Sequence, residues 1–182
     1  MSLDFWRTAS SRRKRIFSAL AVLIVGLVVT AIGGFMPMNA QDAKQISDDL
    51  NQTVASMQDQ GVLMQYILGN NFFICLLMFI PVVGPLLGLY VLFNTGTVVG
   101  AVAAAGGYPA IIAFVALFLT PVAWLEFAAY STAMSESVWL FRRILQHRGK
   151  HEFRNACLFI TLCAVLLVLG AIVETALISI GA

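Results

Sequence analysis

Only 11% of the 182 residues carry a charge, against about 25% in an ordinary water-soluble domain. Because 60% of the chain is hydrophobic, its apolar surface exceeds what one core of this size can hide from water, which excludes a soluble single-domain protein. Cysteine is equally sparse. Cys75, Cys157 and Cys163 all fall inside apolar runs and form no CxxC pair, so no disulfide framework is expected, and they read as small buried hydrophobes. Catalytic signatures are missing too: the chain has no HExxH, no phosphate-binding glycine loop and no paired-Glu-plus-His arrangement. His147 and His151 are four residues apart in a basic segment with no third ligand near in sequence, so they read as solvated. The expectation is no enzyme, no cofactor and no metal.

Long apolar runs are what the chain has instead. The first, Ile16 to Phe35, is about 20 residues, enough to cross a bilayer and longer than the apolar core of about 7–15 residues in a cleavable signal. It reads as a retained helix, although Met38-Asn39-Ala40 offers a small-residue cleavage context. A polar stretch follows, Asn39 to Gln65, in which Asp42, Asp48, Asp49 and Asp59 face Lys44, net −3. Ile46, Leu50, Thr53 and Met57 recur there at helical spacing, which fits either a short amphipathic helix or a loop. Val62 to Ile80 forms the second run and ends at Pro81-Val82-Val83-Gly84-Pro85, a break or sharp kink. Leu86 to Ala105 is the third. The fourth runs from Pro109 to Leu140, about 46 Å of helix against a hydrocarbon core of about 30 Å, so it must tilt, kink near Pro121 or protrude. Phe153 to Ile180 is the fifth.

Charge bias orients these runs. Residues 1–15 and 142–154 are each net +4, and the positive-inside rule puts both in the cytoplasm. Three crossings then connect residue 65 to residue 142. The expected fold is an all-α, polytopic transmembrane helical bundle of about five spans, N-terminus cytoplasmic and C-terminus extracytoplasmic. Its parts are a basic N-terminus (1–15), a first transmembrane helix (16–35), an extracytoplasmic acidic segment (36–65) and a four-helix membrane domain (66–182). A discontinuous pair of half-helices meeting at Pro81–Pro85 is the rival arrangement. Arg12, Arg13, Lys14, Arg15, Arg142 and Arg143 should anchor the chain to anionic headgroups; such clusters do not argue for nucleic acid.

Polar residues inside the runs are the candidate sites. Glu126 stands in a stretch, Ala110 to Leu140, whose only other charge is Glu136. A carboxylate in hydrocarbon costs several kcal/mol, so Glu126 should face the bundle interior and take up a proton or find a donor. Glu174 poses the same question near the end of the last run. Glu126 and Glu136 lie about 15 Å apart along one helix, too far to act as paired catalytic acids, and Glu136 should find a basic partner near the cytoplasmic interface. Asn70, Asn71 and Asn94 can serve as cross-helix hydrogen bonds or ligand contacts. Gly96-xxx-Gly100 is a small-xxx-small pair that lets two helices approach closely.

From Ile67 to Ile178 the sequence resembles the stage II sporulation protein M family. The matching features are the double asparagine Asn70-Asn71-Phe72, the element Asn94-Thr95-Gly96-Thr97-Val98-Val99-Gly100, Pro121 followed by Glu126-Phe127, and Glu174 in Ile172-Val173-Glu174-Thr175. Many members carry His-Gly shortly before the helix acid, where this chain has Ala123-Trp124. The resemblance implies a small non-enzymatic membrane protein; founding members help to position cell-wall hydrolases during engulfment in sporulating bacteria, a role that does not follow from the family name alone. Two functions remain: a scaffold or accessory subunit binding other integral membrane proteins or itself, and a transporter or channel-like subunit whose polar path is lined by Glu126 and Asn94. Membrane lipids are expected partners in either case.

Overall fold

The computed structural model describes the backbone of residues 10–147 and 149–181, and of these the side chains of all but 11, 12, 149–152 and 181. Seven helices make up the described chain: α1 (Ser11–Gly34), α2 (Ala40–Asp59), α3 (Leu63–Met78), α4 (Val83–Ala105), α5 (Ala110–Leu119), α6 (Pro121–Leu145) and α7 (Gly149–Gly181). Start signals explain several boundaries. The Ser10 hydroxyl accepts from the Arg13 amide and the Asn39 side chain from the Asp42 amide, each satisfying an otherwise unpaired donor of a first turn. Pro121 occupies the first turn of α6, where its missing N–H costs nothing.

The fold is an all-α polytopic bundle. Among the described residues three helices are long and apolar enough to cross a membrane, within Arg13–Gly34, Val83–Ala105 and Phe153–Ile180, and α5 with α6 makes a fourth if that bent pair is one span. This corrects the expected count of five membrane-length runs in two places. The Val62–Ile80 run yields only the 16 residues of α3, about 24 Å of helix, because the chain leaves helical geometry before Pro81. Between Pro81 and Gly84 it turns through Val82, whose φ of 70° is strained for a β-branched residue. The Pro109–Leu140 run is not one tilted helix. It breaks at Thr120 and α5 meets α6 at 82°. The bend is held by the Trp124 indole N–H donating to the Phe118 carbonyl at 2.9 Å, with Phe118 edge-on to both Trp124 and Phe127. The polar stretch is a helix rather than a loop: α2 packs on α4 and touches α3, with Ala43 buried.

Helix directions follow from which residues meet. Gly26 lies against Leu92, Thr30 against Gly96 and Gly34 against Gly100, so α1 and α4 run parallel in constant register, touching every fourth residue. Asn71 meets Glu126 and Ser137 meets Ile80, so α3 runs parallel to α6. Gly170 approaches Leu125 and the Cys163 thiol reaches the Ala129 carbonyl, so α7 is antiparallel to α6. One end of the bundle thus carries the start of α1 and the end of α6; we term it the basic end. The other carries α2 and α5. The core between them holds Cys75, Met78, Leu92, Phe127, Tyr130 and Leu167.

Candidate functional site

Two polar layers sit on opposite sides of that apolar core. The layer on the α2 side is a cavity of about 440 Å³ between α2, α3, α6 and α7, lined among others by Asp49, Tyr66, Asn70, Asn71, Glu126 and Glu174. Helical periodicity builds it: Tyr66 and Asn70 lie one turn apart on α3 and share a face. The Asn71 side-chain amide donates to Glu126 Oε1, so the intramembrane acid is matched to a neutral donor on a neighbouring helix.

The second layer lies at the basic end. Arg15 forms an ion pair with Glu136. Around it the Ser18 and Ser135 hydroxyls share a hydrogen bond of 2.7 Å, the Trp139 indole N–H donates to Ser18 Oγ at 2.9 Å, and Ser137 Oγ donates to the Ile80 carbonyl at 2.7 Å. The Arg15 guanidinium also stands 5.4 Å from the Trp139 ring centroid and 5.8 Å from that of Phe159, within cation–π range. This cluster fastens α1, α6 and the α3–α4 turn together.

Of the residues singled out in the sequence, Glu126, Glu174, Asn70 and Asn71 meet in the 440 Å³ cavity. Asn94 is not among the residues lining that cavity; its amide donates to the Tyr90 carbonyl of its own helix at 3.1 Å. Gly96 and Gly100 are spent on α1. A Cβ at Gly96 would strike the Thr30 carbonyl and one at Gly100 the Gly34 carbonyl. Arg15 pairs with Glu136, which is buried to 5% exposure. Arg13, Lys14 and Arg142 remain partly or fully exposed, Arg142 standing 5.8 Å from Trp139. Arg143 bonds the Gln146 side chain at 3.2 Å. The side chains of Arg12 and His151 lie outside the described residues. Sequence reasoning missed Gly26, Thr30 and Gly34 as the counterpart of the α4 glycines, although their four-residue spacing was the available signal. It also missed Ser18, Ser135 and Trp139, which give no linear signal.

Among the described residues no group of three or more His, Cys, Asp or Glu is placed to hold a metal ion. Apolar helices of membrane length and the interior acids Glu126 and Glu136 matched to cross-helix partners define a multi-pass integral membrane protein. The chain matches the Stage II sporulation protein M family over residues 16–178 and belongs to it. The family is non-enzymatic, and the match takes in α1 and α2 as well as the stretch on which the motif resemblance rests. Neither a curated protein nor a solved structure matches the chain.

Proposed function

We propose that this protein is a non-enzymatic membrane scaffold or accessory subunit that binds other membrane proteins through the outward face of α2. The observation that carries the reading is α2 itself. It is a 20-residue polar helix laid on the bundle, with Ala43 buried beneath it and Asp42, Asp48, Asp49 and Asp59 exposed. Asp42, Asp48 and Asp59 stand outside the cavity that Asp49 lines, and a partner with a basic face complements that acidic surface.

The orientation we infer puts the basic end in the cytoplasm and α2 outside. The +4 segments at residues 1–15 and 142–154 support it. So does the alternation of helix directions, which is that of five crossings made by α1, α3, α4, α6 and α7, with α5 lying across the outer surface. In this reading α3 crosses despite its 16 residues because its turn carries no charge: residues 60–125 contain no Asp, Glu, Lys or Arg. That turn therefore need not emerge fully into water, and local thinning covers the shortfall at modest cost.

A transport role is the second reading, favoured by the 440 Å³ cavity with its two carboxylates. Against it, Cys75, Met78, Phe127, Tyr130, Met134 and Leu167 form a buried apolar cluster, which favours a packed bundle over a continuous polar path. The test is affinity purification from native membranes in mild detergent. The wild type should retain a membrane partner that Asp48→Lys with Asp59→Lys releases. Retention unchanged by the double reversal would remove α2 as the docking surface.

A further inference from the structure

α1 and α7 both pack on α6 yet share no packed stretch with each other among the described residues. The gap between them is a groove of about 510 Å³. Its walls include Ala19, Leu20, Leu23 and Phe159, and its floor includes the small side chains of Ala128 and Thr132. The groove is mostly apolar, with the hydroxyl-bearing Ser131 and Thr132 on its floor and its charged residues, Arg15 and Glu136, at one end. From Arg15 to Leu23 on α1, and from Glu136 to Ala128 on α6, it runs about 12 Å. That is close to one leaflet of a hydrocarbon core about 30 Å thick. A spanning helix from another protein would need a track through both leaflets, whereas a lipid chain needs only one.

The closed end continues into positive charge. Arg13, three residues before the groove-lining Ile16, is exposed, Lys14 is partly so, and Arg154 is exposed near the start of α7. We propose that this groove binds one acyl chain of an anionic phospholipid of the cytoplasmic leaflet, its headgroup phosphate held by the basic start of α1. The ion pair with Glu136 occupies Arg15 and fixes the wall of the groove, which leaves the exposed Arg13 beyond its closed end for the headgroup. The leaflet assignment rests on the orientation inferred above; the binding itself does not.

The experiment uses the full-length protein in detergent, with phosphatidylglycerol and phosphatidylcholine of identical chains as probes. Native mass spectrometry should find phosphatidylglycerol retained after extraction, and added phosphatidylglycerol should raise the thermal denaturation midpoint where phosphatidylcholine does not. Arg13→Gln should weaken that preference about fivefold, and Lys14→Gln, on the far side of α1 from the groove, should weaken it less. Ala19→Trp, which fills the groove, should lose the retained lipid while keeping the wild-type circular dichroism spectrum. If that variant does not fold, the two surface charge variants still decide. Equal binding of both lipids, lipid retained by the filled groove, or a polypeptide cross-linked from Leu20 would each overturn the proposal. Because the lipid is read on isolated protein, the result is separable from partner binding at α2: loss of one leaves the other standing.

Discussion

Arg15 on α1 and Glu136 on α6, 121 residues apart in sequence, form a largely buried ion pair. Removing one member of such a pair strands the other charge in a poor solvent, whereas replacing both with apolar residues of similar size does not. Glu136→Ala should therefore destabilise the bundle by about 3 kcal/mol, read as a lower midpoint of thermal denaturation in detergent. Arg15→Met combined with Glu136→Met should recover most of the loss. A single variant as stable as the wild type would show that the pair contributes nothing.

The α1–α4 contact predicts opposite outcomes for two glycines. At Gly96 a Cβ meets the Thr30 carbonyl, while at Gly69 nothing lies within 4 Å. Gly96→Ala should cost about 1–3 kcal/mol by forcing two backbones apart, and Gly96→Leu with Gly100→Leu should abolish folding. Gly69→Ala, at an exposed helical position, should be neutral or gain about 0.5–1 kcal/mol. Parallel denaturation series of the variants check the signs.

Glu126 accepts from Asn71, so its replacement should follow hydrogen-bonding capacity. Glu126→Gln keeps an acceptor oxygen at that place and should stay within about 0.6 kcal/mol of the wild type, the usual scale of a cross-helix bond in membranes. Glu126→Lys offers no acceptor and adds a cation worth about 2.5 kcal/mol or more of insertion cost. Membrane expression level and detergent stability should both fall for the lysine variant. Equal behaviour of the two would mean that this side chain does not face the bundle.

Orientation is checked by single cysteines in a background with Cys157 replaced by Ser, since Cys75 and Cys163 are buried. An impermeant thiol reagent on intact cells should label Leu50→Cys and Ala105→Cys but not Gln146→Cys. Labelling of the last from outside contradicts the five-crossing orientation.

Helix existence was readable wherever apolar runs ended at strong breakers, as at Pro81–Pro85, because breaking a helix is a local property of the backbone. The break at Thr120 was only half readable. Pro121 marked the place, but the 82° bend is set by Trp124, Phe118 and Phe127, which meet only after the chain has turned. Gly33 and Gly34, near the end of the first apolar run, stay helical and provide the surface on which α4 packs. Arg15 was one of four consecutive basic residues, and nothing local distinguishes it from its neighbours; Glu136, on a helix far along the chain, makes the difference. The convergence of Asn70, Asn71, Glu126 and Glu174 was open for the same reason: composition says that such groups need polar company, and topology alone decides which.

The most direct test of the scaffold reading is site-specific photocross-linking from α2 in native membranes. A photoreactive residue at position 48, on the exposed acidic face, should give a discrete higher-mass adduct with a membrane protein, and the same probe at Ala43, buried against the bundle, should not. Absence of any adduct at position 48, together with solute flux through reconstituted protein that Glu126→Gln abolishes, would contradict a scaffold and establish transport.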